Sequence, residues 1–185
     1  NIYDLVTYCN NKNILSIVDM VSALGYYEIP TSSIICSSTS KILRGLPSLG
    51  LLLIDDKILN LIQDNGFYLN LKRIIAYSDS NETPHTSLIP QILSIKSENF
   101  FNKELIDRNC LEIIPEKFEL IGERFAPVLT LKYQRPENLK KVLSVLEQNE
   151  ISIYYNSNYM SEVVQIGMFN GSTNEYNELN RLLNI

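Results

Sequence analysis

The sequence predicts an α/β protein, with a mainly parallel sheet and its helices in the first part of the chain and a smaller α+β unit after it. Two observations lead to this prediction. Short apolar and β-branched runs bounded by turn residues alternate with segments of helical spacing, as strands and helices do. Near Pro115 the pattern changes to alternating strands. We therefore expect two domains, residues 1–115 and 116–185.

Three apolar runs of the first part are predicted to be buried strands, because each is short and bounded by polar or turn residues. These runs are residues 14–18, 33–37 and 49–54. The other segments of this part have helical signals of different strength. They are helices over 1–11, 55–64 and 87–95, an ambiguous stretch over 67–82, a helix start at Thr83–Pro84 and a helical connector over 97–110.

The second part has strands and helices in the order β-β-α-β-β-α. Ser172 and Glu175 have the spacing of a capping box, which begins a helix. The preceding helix starts at Pro136 and has leucines and a valine on one face. The predicted strands are 118–121, 128–133, 151–155 and 162–168, and the helices are 136–148 and 172–183.

Composition excludes several classes of function. The 185 residues include 45% hydrophobic residues, which suffices for a core, and have a net charge of −5 with scattered basic residues, which argues against nucleic-acid binding. A membrane span would need about 18 consecutive apolar residues, and no such run exists. The three cysteines are odd in number and have no CxxC spacing, and the sequence has no signal-peptide pattern. Both observations predict a cytoplasmic protein. One histidine argues against a metal site.

Two residues that can support catalysis stand at neighbouring strand ends. Asp19 follows the first predicted strand, and Lys41 follows the second after four hydroxyl residues. Ligands of open α/β sheets bind outside the carboxyl ends of the strands. A lysine amine can bond an aldehyde cofactor, and a carboxylate can keep a pyridine nitrogen protonated. The residues alone leave two alternatives open: a simple salt bridge, or two unrelated solvated side chains.

Three sequence segments resemble motifs of a known family. ILSIVDMVSALG at 14–25 and SSTSKILRGLPSLGLLLI at 37–54 are similar to the aspartate and lysine signatures of class V aminotransferases, which are pyridoxal 5'-phosphate (PLP) enzymes of fold type I. TPHT at 83–86 resembles their TPxT turn. Within that class the likeness is to 2-aminoethylphosphonate–pyruvate transaminases, with alanine–glyoxylate transaminases as relatives. The resemblance extends over the C-terminal half of such an enzyme, including its small domain.

The resemblance implies a role for each matching residue. Lys41 would form the Schiff base with PLP and move the proton during catalysis, and Asp19 would pair with the pyridine nitrogen. Val21 would pack against the ring, and Ser40 would lie near the phosphate. Thr83, or else Thr86, would contact the phosphate of a neighbouring subunit, which implies a homodimer.

The sequence also departs from the family. Its small-domain Arg-Ile-Gly, in which the arginine binds the anionic end of the substrate, is replaced by Gln165-Ile166-Gly167. An amide cannot reproduce the bidentate contact of an arginine. Either the substrate differs, or Arg44 takes over, or activity is lost. The family's phosphate loop and ring-stacking residue do not precede Asp19, and the chain begins with Asn1, so we expect a fragment that is inactive alone.

The resulting prediction is a PLP-dependent transaminase. It would transfer an amino group between an amine, such as a 2-aminoalkylphosphonate of phosphonate metabolism, and a 2-oxo acid such as pyruvate. A lyase or decarboxylase would use the same lysine and aspartate. The alternative from another class is a non-catalytic interaction or regulatory module on an aminotransferase scaffold, which Gln165 and the missing phosphate loop favour.

Overall fold

The computed structural model describes residues 1–64, 66, 69–86, 88–95, 103–151, 153–155, 162–169 and 171–185. The chain divides into two compact units, residues 1–99 and 100–185. Residues 103–115 therefore group with the second unit, although the sequence assigned them to the first domain. The functional meaning of the two predicted domains remains a prediction.

The first unit contains a sheet of three strands, β1 (Ile17–Asp19), β2 (Ile34–Ser38) and β3 (Gly50–Ile54), in the order β1-β2-β3. β1 and β2 are parallel, and β2 and β3 are antiparallel. The first strand begins later than the predicted residue 14, because Ile14 N–H donates to the Cys9 carbonyl and closes the end of the preceding helix. The sheet therefore offers one parallel pair of strand ends.

A small apolar cluster connects this sheet to the first helix. α1 (Ile2–Asn11) has one buried residue, Val6, which packs with Val18, Met20 and Ile35. The pairing fixes β1 and β2 side by side, since Val18 lies opposite Ile35. The predicted helix 1–11 is confirmed.

The remaining helices of the first unit are shorter than the sequence suggested. The predicted helix 55–64 is a 3₁₀ helix, Asp56–Leu61, and the ambiguous stretch contains α2 (Leu71–Asp79). Thr83–Pro84 does not begin a helix, because Thr83 forms a local turn and α3 (Ile89–Leu93) begins later with Pro90 in its first turn. Residues 65, 67, 68, 87 and 96–102 of these predictions lie outside the described residues.

The second unit follows the sequence more closely. It contains α4 (Lys103–Glu112), β4 (Phe118–Ile121), β5 (Val128–Tyr133), α5 (Pro136–Gln148), β6 (Tyr154–Tyr155), β7 (Val163–Gly167) and α6 (Thr173–Leu183). Its sheet is antiparallel, in the order β4-β5-β7-β6. The predicted bounds of β4, β5 and α5 are confirmed to the residue. Part of the predicted strand 151–155 and residues 156–158 lie outside the described residues.

Local capping and a dense core explain this agreement. Ser172 caps α6 and Glu175 completes the capping box, as the sequence predicted. Leu131, Tyr133 and Val164 on neighbouring strands are fully buried. In the described part of the chain, no helix is long and apolar enough to cross a membrane.

Candidate active site

The carboxyl ends of β1 and β2 lie at one edge of the first sheet. Because these strands are parallel, Asp19 at the end of β1 pairs in register with Cys36 of β2. The pairing continues beyond the strand, since Met20 N–H donates to the Cys36 carbonyl at 2.8 Å. The Ser37 hydroxyl donates to the Met20 carbonyl at 3.1 Å. Lys41 follows β2 by three residues, so both candidate residues leave the sheet at the same edge.

The turn after β1 holds Asp19 in a defined position. One carboxylate oxygen of Asp19 accepts the Val21 N–H at 2.8 Å. This is an Asx turn, in which the side chain binds the backbone two residues on. The side chain of Asp19 is exposed and that of Val21 is half-buried. No hydrogen bond from another described residue reaches the second carboxylate oxygen.

The same turn lies against the segment that carries Lys41. Gly25 has a φ of +96°, a left-handed conformation that glycine adopts without strain. A Cβ atom at Gly25 would lie 3.5 Å from Ile42 Cγ2 and 3.7 Å from Leu43 Cδ2. Both apolar side chains are buried and directly follow Lys41. The structure thus brings Gly25, six residues after Asp19, close to the two residues that follow Lys41.

The loop after β2 is closed by Thr39, whose side chain is fully buried. Its hydroxyl donates to the Leu46 carbonyl at 2.9 Å, and its N–H donates to the Leu49 carbonyl at 3.1 Å. The Gly45 N–H donates in return to the Thr39 carbonyl at 2.7 Å. One residue therefore ties both arms of the loop to the end of β2.

Lys41 projects from this ordered loop into solvent. Its side chain is exposed, and no hydrogen bond or ion pair joins it to another described residue. Its carbonyl accepts the Arg44 N–H at 3.0 Å, and Arg44 has a φ of +52°. Among the described residues there is no salt bridge between Asp19 and Lys41, which was one of the alternatives that the sequence left open. The lysine has a fixed backbone and an amine that is free to meet a ligand.

Two hydroxyls stand directly before the lysine. The Ser38 and Ser40 oxygens are 2.7 Å apart, and the Ser40 N–H donates to the Ser38 hydroxyl at 3.1 Å. Ser40 is half-buried. This arrangement presents hydroxyl groups at the same strand end, where the resemblance places the phosphate.

The predicted phosphate contacts from the threonines lie in a separate turn of the first unit. The Thr83 hydroxyl donates to the His85 carbonyl at 2.5 Å and accepts the His85 N–H at 3.2 Å. Thr86 is exposed. No hydrogen bond among the described residues joins either threonine to Asp19 or Lys41.

Gln165 lies in the second unit, on β7 opposite Thr130 of β5. Its side-chain amide donates to the Thr130 hydroxyl at 3.3 Å. It also lines a cavity of about 540 Å³ with residues of α6 and mostly apolar neighbours. Arg44, the alternative anion-binding residue, is exposed in the loop after Lys41. The two candidates therefore belong to different units.

Sequence reasoning missed the residue that organises the loop. In the sequence, Thr39 is simply one of four consecutive hydroxyl residues before Lys41. The signal that could have found it is the alternation of β2, in which Ile35, Ser37 and Thr39 all face inward. An inward threonine at the end of a strand needs a buried hydrogen-bond partner, and the returning loop supplies it.

No model of a known protein family matches the sequence, and no curated protein matches it either. Solved structures do match the fold. An alanine–glyoxylate aminotransferase from Nostoc sp. has a TM-score of 0.75 and 16% identity, with 100% of this chain and 56% of that chain covered. An aspartate aminotransferase of subgroup IV from Thermus thermophilus has a TM-score of 0.74 and 19% identity, with 94% and 55% covered.

A third similar structure is the ureidoglycine–glyoxylate aminotransferase from Bacillus subtilis, with a TM-score of 0.70 and 16% identity, and with 100% of this chain and 55% of that chain covered. At these identities the likeness concerns the fold alone. The predicted fold class is confirmed: the chain has a mixed α/β fold that matches part of an aminotransferase. It spans little more than half the length of these solved chains.

Proposed function

We propose that this chain carries the lysine-bearing part of a PLP-dependent aminotransferase. The observation that supports it most is that Asp19 ends β1 and Lys41 follows β2, the two paired parallel strands of a fold that matches part of solved aminotransferases. Fold alone does not determine function, so the proposal depends on these side chains and on their resemblance to the class V signatures.

The residues at this edge have the chemistry that PLP requires. The Lys41 amine is unpaired among the described residues, as an amine that must react with an aldehyde needs to be. One carboxylate oxygen of Asp19 accepts the Val21 N–H, and the other, unpaired among the described residues, would accept the proton of a pyridine nitrogen. Ser40 adds a hydroxyl for the phosphate. The donor set therefore fits the cofactor.

PLP, when bound, supplies an electron sink for negative charge that develops at the substrate Cα. Lys41 would hold the cofactor covalently and then act as the base that takes the Cα proton and returns it at the cofactor C4′ atom. Asp19 would keep the pyridine nitrogen protonated through a charge-assisted hydrogen bond. Val21, next to the Asx turn, would lie against the ring.

The substrate we propose is an amine of the 2-aminoalkylphosphonate type, with a 2-oxo acid such as pyruvate as the acceptor. This choice rests on the resemblance of the Asp19 and Lys41 segments. The anionic end of such a substrate needs a cation, which Arg44 would supply because Gln165 carries no charge. We also propose a homodimer, in which Thr83 or Thr86 contacts the phosphate bound by the other subunit.

Borohydride trapping tests the proposal directly. The protein expressed from its complete gene is incubated with PLP, reduced and digested, and mass spectrometry identifies the lysine that carries the pyridoxyl group. We expect modification of Lys41, and its loss in Lys41→Ala. Lys57→Ala, which removes another exposed lysine of the first unit, is the matched control. Modification spread equally over surface lysines would refute the proposal.

The alternative, a non-catalytic module on this scaffold, is favoured by one observation. Gln165 binds Thr130 and lines a largely apolar cavity, where the family has an arginine for the substrate. Amino-transfer assays separate the two proposals. An aminotransferase loses about 10²–10⁴-fold or more of its rate on Lys41→Ala, whereas a non-catalytic module has no rate to lose.

A further inference from the structure

The side chain of Ser94, the C-cap residue of α3, binds the loop that carries Lys41 (residues 39–49, the Lys41 loop). The Ser94 hydroxyl accepts the Leu46 N–H at 2.9 Å, across 48 positions of sequence. The same hydroxyl donates to the Gln91 carbonyl at 2.6 Å. Ser94 therefore uses its oxygen as an acceptor for the loop while its own proton is bound within α3.

Gly45 and Ile95, the neighbours of Leu46 and Ser94, also lie close together. A Cβ atom at Gly45 would lie 2.9 Å from Ile95 Cγ1 and 3.2 Å from the Thr39 carbonyl oxygen. The loop backbone thus fits between Ile95 on one side and Thr39 on the other, with no space for a side chain. Two consecutive residues of the loop, 45 and 46, meet two consecutive residues at the end of α3.

We infer that Ser94 is a positioning residue, which fixes the loop conformation that presents Lys41. Without the hydroxyl, the Leu46 N–H loses its partner at Ser94, and the loop keeps its bonds to Thr39 and its packing against Ile95 and Gly25. The loop could then shift by a fraction of an ångström at Lys41. The significance of Ser94 for catalysis rests on the proposed function, in which Lys41 is the reacting group. Misplacing a reacting group by about 1 Å can cost about 10²-fold in rate.

The sequence offers a closely matched control. Ser80 is also the residue that ends a helix, and its hydroxyl donates to the Tyr77 carbonyl at 2.9 Å, three residues earlier. This is the same local bond that Ser94 makes to Gln91. Ser80 is exposed, and among the described residues no hydrogen bond joins it to the Lys41 loop. Ser94→Ala and Ser80→Ala therefore differ in the tie to the loop.

Hydrogen exchange of single backbone amides tests the inference without any cofactor. The reporter is the Arg44 amide, which is bonded to the Lys41 carbonyl and not to Ser94. We expect Ser94→Ala to speed its exchange about five- to tenfold, while Ser80→Ala leaves it unchanged and Ser94→Thr restores slow exchange. If only the Leu46 amide exchanged faster, the inference would be overturned, because the bond to Ser94 would then affect Leu46 and not the backbone at Lys41.

Borohydride trapping with PLP provides the second measurement, on the same protein. We expect a several-fold lower rate of modification at Lys41 in Ser94→Ala than in Ser80→Ala. Equal rates would overturn the positioning role, even if exchange at Arg44 is faster. Absence of any modification in the unsubstituted protein would refute the proposed function instead, and the exchange of the Arg44 amide would then decide the inference alone.

Discussion

The two units of the molecule differ in how completely they bury their own apolar residues. Among the described residues, most buried apolar side chains lie in the second unit, where Leu131, Tyr133, Val164 and Leu183 are inaccessible to solvent. Most of the exposed large apolar side chains lie in the first unit. Ile17, the first residue of the parallel strand β1, is 69% exposed.

This difference indicates that the second unit is stabilised mainly by its own apolar core, whereas the first unit relies more on a few hydrogen bonds. Parallel strands are normally buried on both faces, yet β1 is buried on one face only: Val18 packs in the small apolar cluster, while Ile17 is exposed. Polar contacts with Thr39 and Ser94 hold the Lys41 loop of the first unit. We therefore expect the stability of the second unit to depend mainly on its core, and the conformation of the loop in the first unit to depend mainly on these hydrogen bonds.

The largest expected contrast comes from removing a leucine in each sheet. Leu131→Ala leaves a cavity in the second core and should lower the free energy of unfolding by about 2–5 kcal/mol. Leu52→Ala removes a side chain of β3 that is 48% exposed, and should cost about 1 kcal/mol. Urea unfolding followed by peptide-level hydrogen exchange assigns each loss to its unit. Equal losses would refute the contrast between the two cores.

The next-largest effect is expected at Thr39, the buried residue that bonds both arms of the Lys41 loop. Thr39→Val keeps the shape of the side chain but removes the hydroxyl that donates to the Leu46 carbonyl, which then retains the Ser48 N–H as its donor among the described residues, and should cost about 0.5–1.5 kcal/mol. Thr39→Ser retains the hydroxyl and is the control. The measurement is the exchange rate of the Gly45 amide, which is bonded to the Thr39 carbonyl. If Thr39→Val leaves that rate unchanged, the hydroxyl does not organise the loop.

The contrast between the units also explains what the sequence could predict. In the second unit, Pro136 at the start of α5 and the Ser172–Glu175 box are local signals, and the observed bounds agree with them. In the first unit, the helix start expected at Thr83 failed because a side-chain turn competes with the helix there. The sequence indicated that Asp19 and Lys41 leave neighbouring strands.

What the sequence did not contain was the set of contacts that hold these residues. The bond from Leu46 to Ser94 spans 48 positions, and no local pattern announces it. The contact of Gly25 with Ile42 and Leu43 likewise depends on how two loops pack. Long-range hydrogen bonds and close backbone approaches are properties of the folded chain, so a periodicity argument could reach only the strand ends.

A smaller effect on the second unit is expected from Tyr133, whose hydroxyl donates to the Leu183 carbonyl at 3.0 Å. Tyr133→Phe should cost about 1 kcal/mol at neutral pH. Burial raises the pKa of Tyr133 above its ordinary value of 10.0. Because the folded state binds this proton more tightly, the associated stability is complete below that pH and is lost as the pH rises towards the raised pKa.

Urea unfolding at several alkaline pH values tests the role of Tyr133. The stability of the unsubstituted protein should fall more steeply above pH 10.0 than that of Tyr133→Phe. The other tyrosines are unchanged between the two proteins and therefore cancel in the comparison. Parallel pH profiles would show that Tyr133 ionises without unfolding the second unit.

The smallest expected effect is at the capping box, on the surface of the second unit. The Ser172 N–H and hydroxyl both donate to the Glu175 carboxylate, at 2.6 and 2.8 Å. Both hydrogen bonds lower the pKa of Glu175 below its ordinary value of 4.5. The bond from the Ser172 backbone has the larger effect and the bond from its hydroxyl the smaller one. The contribution of this carboxylate is therefore present above pH 4.5 and is lost as the pH falls through the lowered pKa.

Glu175→Gln isolates this contribution, because the amide keeps an acceptor but does not titrate in this range. The stability difference between the unsubstituted protein and Glu175→Gln should shrink as the solution is acidified, and hydrogen exchange should confine it to the first turn of α6. Ser172→Ala, which removes the N-cap, should cost about 1 kcal/mol in the same region. Because capping acts within one turn of helix, amides of the Lys41 loop should exchange at unchanged rates in both variants. A change at that loop would show that the second unit's surface and the first unit's candidate site are coupled, which would contradict the separation of the two units.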